Sequence, residues 1–87
     1  MKYSVELTPQ AEEDLLRIDK SIARNIVNKI DWLSQNIESI IPAPLKGKFK
    51  GKYKLRVGDW RIVYSVDHSA HIVTIYVIRH RREVYKI

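Results

Sequence analysis

Two runs of alternating residues, 52–57 and 60–66, flank the pair Gly58-Asp59, and nothing else in the chain constrains its fold as tightly. Gly-Asp between alternating runs reads as a two-residue hairpin loop, because the turns that match strand twist need a residue tolerant of positive φ. Such a loop sets Val57 opposite Trp60, Arg56 opposite Arg61, Leu55 opposite Ile62, Lys54 opposite Val63, Tyr53 opposite Tyr64 and Lys52 opposite Ser65. Side chains alternate between the two faces of a sheet. Tyr53, Leu55, Val57, Trp60, Ile62, Tyr64 and Val66 therefore share an apolar face that needs a cover, while Lys52, Lys54, Arg56 and Arg61 share the other. A three-residue loop would shift the pairing and disperse the cations.

The N-terminal half supplies the cover. Residues 2–7 alternate with period two and read as an opening strand. Thr8-Pro9 is a helix start, with an N-cap hydroxyl and a proline in the first turn. Glu12, Glu13 and Asp14 suit the positive end of the helix dipole, and Ala11, Leu15 and Ile18 form an apolar stripe. Asp19-Lys20-Ser21 breaks that pattern, and a second helix follows Ser21. Its buried face is Ile22, Ile26, Ile30, Leu33 and Ile37, with Val27 beside them. Ile41-Pro42-Ala43-Pro44 cannot continue a helix and reads as an extended connector. Residues 72–79 are nearly all apolar and predict an interior third strand of the meander; residues 83–87 add a turn of helix or a strand tail. The expectation is one α+β domain spanning 1–87: an N-terminal strand, a two-helix hairpin and an antiparallel three-stranded meander, with the helices on one sheet face.

Charge is divided between the halves. Residues 1–44 hold five basic and seven acidic side chains, net −2, whereas residues 45–87 hold eleven basic and three acidic ones, net +8. A split of this kind points to a polyanion met by one side of the molecule, against the plainer reading of a solvated basic surface. There is no cysteine, and His68, His71 and His80 are too few and scattered for a zinc site, so no metal or other cofactor is expected. No apolar run is long enough to span a bilayer and the N-terminus lacks a signal-peptide core, so a cytoplasmic protein without membrane contact is expected.

The cations are the candidate site. Arg56 opposite Arg61 is a like-charge cross-strand pair, which costs stability unless something anionic binds there. Lysines guarding a sheet edge are the alternative, and they do not account for facing arginines. Upstream, LKGKFKGKYK carries Lys46, Lys48, Lys50, Lys52 and Lys54 with Phe49 and Tyr53, a mixture suited to single-stranded RNA because charge tracks phosphate and rings stack on bases. An ordinary exposed loop is its plain reading. The tail IRHRREVY adds Arg79, His80, Arg81, Arg82 and Tyr85. His80 is a possible acid–base group or merely a solvated histidine, and Tyr85 a functional or a packing aromatic.

RNA can be cut without a metal when its 2′-hydroxyl attacks the adjacent phosphorus and expels the 5′-oxygen. That needs a base, an acid and positive charge on the phosphoryl oxygens. The acidic residues of the C-terminal half form no metal-binding pattern, which argues against two-metal chemistry. Neighbouring cations favour the neutral form of a lysine, and Lys52 and Lys54 beside Arg56 and Arg61 are an arrangement that would do so.

With these residues in view, the chain resembles the RelE branch of the RelE/ParE toxin superfamily over nearly its whole length. The resemblance lies in the element order, in LKGKFKGKYKLRVGDWRIVYSV and in the terminal HRREVY. It implies a microbial-ribonuclease-like fold and a ribosome-dependent endoribonuclease that cuts messenger RNA by the 2′-hydroxyl route. It implies base and phosphate roles for Lys52 and Lys54, a phosphate or transition-state contact for Arg61, and an orienting or stacking role for Tyr85. The second catalytic arginine maps to Arg81, or failing that Arg79, and His80 departs from the family pattern. Lys46, Lys48, Lys50, Arg56, Arg79, His80 and Arg82 would then bind RNA around the catalytic set. The implied partners are a cognate antitoxin, the ribosome with its messenger RNA, and operator DNA only through the toxin–antitoxin complex. A ParE-like inhibitor of DNA gyrase and a non-enzymatic nucleic-acid-binding module are the competing readings.

Overall fold

The computed structural model describes residues 2–84. The chain runs β1 (Ser4–Leu7), α1 (Pro9–Arg17), α2 (Lys20–Asn36), β2 (Ala43–Pro44), a 3-10 turn (Gly47–Phe49), β3 (Tyr53–Val57), β4 (Trp60–Asp67), β5 (Ile72–His80) and α3 (Arg81–Val84). The five strands form one sheet in the order β1-β5-β4-β3-β2. β1 runs parallel to β5, and every other pairing is antiparallel.

The hairpin register is the one a two-residue loop demands, from Val57↔Trp60 to Tyr53↔Tyr64. Gly58 carries a φ of 57° and Asp59 does not share it, the pattern of a type II′ turn with glycine first. The apolar faces of β3 and β4 then meet the helices. Ile26, Ile30, Leu33 and Ile37 of the α2 segment pack on Ile62, Tyr64, Val73, Ile75 and Ile78, with Tyr53, Leu55, Val57, Trp60 and Val66 around them. Leu33 and Ile26 are fully buried, each stabilising the fold by roughly 1.5–3 kcal/mol.

The α1 segment is stitched to β5. The Thr8 hydroxyl accepts from Ala11 N–H at 3.1 Å and donates to the Tyr76 carbonyl at 2.7 Å, while Thr8 N–H donates to the Ile75 carbonyl at 3.0 Å. The parallel ladder of β1 ends at Leu7↔Ile75, so α1 takes over the edge of β5 beyond that point.

Four details differ from the sequence expectation. Ala43–Pro44 is not only a connector: it pairs as a short strand with Tyr53–Lys54, making five strands instead of four. A proline is tolerated there because the strand lies at the sheet edge. The second helix begins at Lys20, earlier than expected, because the Asp19 carboxylate accepts from Ser21 N–H at 3.2 Å and Ser21 Oγ at 2.6 Å. Those bonds also hold the Asp19 carboxyl below its ordinary value. Val27 is 46% exposed, in a shallow apolar groove with Val5, Leu7, Leu15 and Ile30 rather than in the core. Finally, β5 carries a register irregularity opposite Val63/Tyr64 that switches the phase of its buried residues: Val73 and Ile75, then Ile78. No described helix is long and apolar enough to cross a membrane.

Candidate nucleic-acid interface

The face of the sheet turned away from the helices carries the cations. Register places Arg56 opposite Arg61 and Arg61 opposite Arg79, so three arginines stand abreast on β3, β4 and β5. Adjacent strands lie only about 4.8 Å apart, and each arginine meets the crowding differently. Arg56 is exposed. Arg61 is only 4% exposed, and its Nη1 donates to the carbonyls of Gly58 and Trp60, both at 2.9 Å. The expectation of a fully open cationic face is therefore corrected at Arg61, whose guanidinium folds down onto the turn to find acceptors. Arg79 donates through Nε to Asp14 Oδ2 at 3.0 Å and lies 3.7 Å from Glu83 through Nη1.

Lys52 and Lys54 are both half-buried. The Lys52 ammonium sits 4.7 Å from the centroid of the Tyr76 ring, a cation–π contact, and the Tyr76 hydroxyl is 2.9 Å from Ser65 Oγ. Lys54 lies at the β2–β3 step and lines a hollow with Lys29, Trp32, Ile41 and Arg56. Exposed Lys46, Lys48 and Lys50 ride on or beside the 3-10 turn. That loop is tied to the start of β3 by bonds from Leu45 N–H to the Lys52 carbonyl and from Lys52 N–H to the Phe49 carbonyl, each 3.0 Å. The upstream lysines are thus held near the Lys52 end of the hairpin.

The C-terminal candidates divide. Arg81 comes to the same turn as Arg61: its N–H donates to the Asp59 carbonyl at 2.8 Å and its Nε lies 3.9 Å from the Asp59 carboxylate. Arg82 is exposed. The His80 ring packs edge-on against Trp60, 5.5 Å between centroids, and its Nδ1 accepts from Arg82 N–H at 3.3 Å. Trp60 belongs to the helix-facing side, so the structure puts His80 with the apolar face and not with the lysines. Tyr85 lies outside the described residues. No group of three metal-ligating side chains gathers among the described residues.

Two residues of this region escaped the sequence reading. Asp14 stands on α1 between the stripe positions Ala11, Leu15 and Ile18, and a carboxylate inside an apolar stripe was the available signal. Tyr76 follows Val73 and Ile75 in alternation onto the outer face with Thr74, where it reaches Lys52 and Ser65; a nearly all-apolar run read as one interior strand did not single it out. The Tyr64 phenol is pushed up, first by burial and then by Tyr53, and it lies on the helix-facing side.

Residues 5–85 match the model of a family described as the ParE toxin of the type II toxin–antitoxin system, parDE. The chain is 32% identical over 85 residues to Toxin RelE of Mycobacterium tuberculosis, covering 98% of this chain and 88% of the relative. A putative RelE-like toxin protein of Escherichia coli is 30% identical over 90 residues, covering 100% and 94%. Among solved structures, the toxin–antitoxin complex RelBE2 of Mycobacterium tuberculosis contains a chain that superimposes with a TM-score of 0.83 at 27% identity, covering 93% of each chain. The archaeal RelE–RelB complex of Pyrococcus horikoshii contains another, with a TM-score of 0.74 at 24% identity, covering 93% and 97%.

Proposed function

The chain belongs to the RelE/ParE family of type II toxin–antitoxin toxins, and from that premise we propose that it is a metal-independent endoribonuclease that cuts messenger RNA on the ribosome and so halts translation. The observation that carries the reading is the convergence of Arg61 and Arg81 on the turn at residues 58–60, at one end of a hairpin whose strand β3 carries Lys54, with Lys52 in its lead-in. Cleavage asks for a proton acceptor and several fixed positive charges around one phosphate, and this face has both kinds of group.

The roles divide by contact. Lys52 holds its ammonium over an aromatic ring, which suits a charge-bearing role toward the phosphoryl oxygens. Lys54 has no such ring contact among the described residues and takes the proton from the 2′-hydroxyl. The freed 2′-oxygen bonds to phosphorus, the bond to the 5′-oxygen breaks, and the products are a 2′,3′-cyclic phosphate and a 5′-hydroxyl. Arg61, released from its turn carbonyls, and Arg81 neutralise the charge that builds up on the phosphoryl oxygens. On this reading the 5′-oxygen takes its proton from water, since His80 faces the other way. The ribosome contributes alignment of the RNA, which can be worth as much as the chemistry of the side chains. Similar toxins occur in solved complexes with an antitoxin; on this reading a cognate antitoxin covers this face, and operator DNA is met only by the pair.

The test is expression of the chain alone with mapping of messenger-RNA ends on stalled ribosomes, for wild type and for Lys54→Arg. Arginine keeps the charge but does not give up its proton, so the variant loses roughly a hundred- to ten-thousandfold in cleavage. Clustered ends carrying 2′,3′-cyclic phosphates support the reading. Intact transcripts with damaged chromosomal DNA favour gyrase inhibition, the second reading that the ParE family description keeps alive. Growth arrest undiminished in Lys54→Arg would rule out Lys54 as the base and leave gyrase inhibition or a charge-driven binder.

A further inference from the structure

The row of three arginines contains one member that is not like the others. Arg56 and Arg61 have no acidic partner among the described residues, whereas Arg79 has two, Asp14 and Glu83. We propose that Asp14 is a built-in counter-charge that withholds Arg79 from the nucleic-acid face, so that phosphate is met by Lys52, Lys54, Arg56, Arg61 and Arg81 without it. This rests on the reading of that face as an RNA surface.

The Asp14 carboxylate is 6% exposed and carries three hydrogen bonds. Oδ1 accepts from Gln10 Nε2 at 2.9 Å; Oδ2 accepts from Ile78 N–H and from Arg79 Nε, each at 3.0 Å. Burying a carboxylate is costly unless it is paired and bonded. Ile78 N–H does need an acceptor, because β1 has already ended and the edge of β5 is bare there. A neutral asparagine or serine would meet that need without burying a charge. What only a carboxylate adds is neutralisation of Arg79. The stem of Arg79 starts on the same face as Arg61, its register partner, yet its guanidinium is drawn over the sheet edge to α1. The third positive charge of the row is thereby turned aside. The cross-strand repulsion falls on Arg56 and Arg61 alone, and the remaining cations are those around the hairpin.

The experiment uses the full chain and a short single-stranded RNA with 2′-O-methyl groups, which cannot be cut by the 2′-hydroxyl route. Affinity is measured by fluorescence anisotropy across a salt series. Each phosphate contact on a single strand adds about 0.7 to the slope of log K against log salt. Arg79→Gln leaves the slope unchanged, Asp14→Asn steepens it by about 0.7 as Arg79 swings free, and the double variant returns to the wild-type slope. A role in stability alone would lower the melting temperature without moving the slope. Shallowing by about 0.7 in Arg79→Gln makes Arg79 a phosphate ligand and overturns the proposal, as does an unchanged slope in folded Asp14→Asn. Should Asp14→Asn fail to fold, Arg79→Gln decides by the same criterion. Solvent exchange of the Arg79 Nε proton, followed by NMR, is slow in wild type and fast in Asp14→Asn; fast exchange in wild type also overturns the clamp. Absence of salt-dependent RNA binding by wild type sinks the RNA reading of the face instead, and the exchange measurement then still tells whether Asp14 holds Arg79.

Discussion

Replacing Arg61 by alanine and by methionine separates what this side chain does for the fold from what it does for RNA. The guanidinium makes two hydrogen bonds to turn carbonyls, both 2.9 Å. A bond from a charged donor contributes roughly 1.5–3 kcal/mol, but the Gly58 end of the turn is exposed and water can replace part of it, so about 1.5 kcal/mol is a fair total. The stem is 4% exposed with the rest of the residue, and the two buried methylenes beyond Cβ, at about 0.8 kcal/mol each, add about 1.6 kcal/mol. Against this stands relief of the like-charge contact to Arg56, at roughly 0.2–1 kcal/mol, together with the desolvation of a buried cation; Arg79 is neutralised by Asp14. Arg61→Ala should therefore be destabilised by about 2–3 kcal/mol, which for a domain of this size lowers Tm by roughly 10–20 °C. Arg61→Met keeps an apolar stem and sheds the repulsion, so its Tm should stay within about 5 °C of wild type. Thermal melts and urea titrations read both. Both variants lose growth arrest, and the methionine variant does so while folded. Equal melting temperatures for the two would refute the assignment of stability to the stem, and a stabilised Arg61→Ala would show that repulsion outweighs every contact the side chain makes.

Two further outcomes follow from perturbed groups. The Asp19 carboxyl is held below its ordinary value by its bonds to Ser21, so it contributes stability at pH values above the ordinary carboxylate range that is lost as pH falls through its lowered value; Asp19→Asn flattens that acid limb in a pH series of melts, and an unchanged limb would mean that the cap does not couple to folding. The Tyr64 phenol is pushed up, first by burial and then by Tyr53; a raised value means stability that is complete below the ordinary phenol range and lost as pH rises through the folded value. Tyr64→Phe removes that alkaline loss, and an alkaline limb identical to wild type would place the titrating group elsewhere.

The hairpin was the most legible part of the chain, and the reason is local. Gly58 supplies the positive φ that the turn needs, and once the loop length is known every pair from Val57↔Trp60 to Tyr53↔Tyr64 follows by counting. The helices were legible because Ile26, Ile30, Leu33 and Ile37 repeat at helical spacing over a face with nothing polar except Ser34, whose hydroxyl bonds back to the Asp31 carbonyl. What could not be read depends on contacts distant in sequence. Asp14 looked like one more first-turn acid; its meaning comes from Ile78 and Arg79, more than sixty residues away. Pairing of Ala43–Pro44 with β3 is invisible in a proline-rich segment, which lacks the alternation of a strand. His80 seemed a member of the basic tail, but strand parity assigns it to Trp60 on the other side.

Fold and family leave the chemistry open here, since one scaffold serves both a family description that names ParE and relatives named RelE. The difference has to lie in what the outer face carries. A binder needs charge in any arrangement, and for that purpose a tighter cluster is only a cost, because cross-strand like charges weaken the sheet. Cleavage asks for a proton acceptor and a charge carrier within reach of one phosphate, and positions 52 and 54 project side by side from β3 and its lead-in, about 7 Å apart along the strand. The same turn that fixes them also collects Arg61 and Arg81. A register slip of one residue would send both lysines to the apolar face. The Gly58 turn is therefore as much a part of the proposed active face as the cations it aligns, and on that proposal the crowding it enforces on Arg56 and Arg61 is the stability cost of bringing them to a single phosphate.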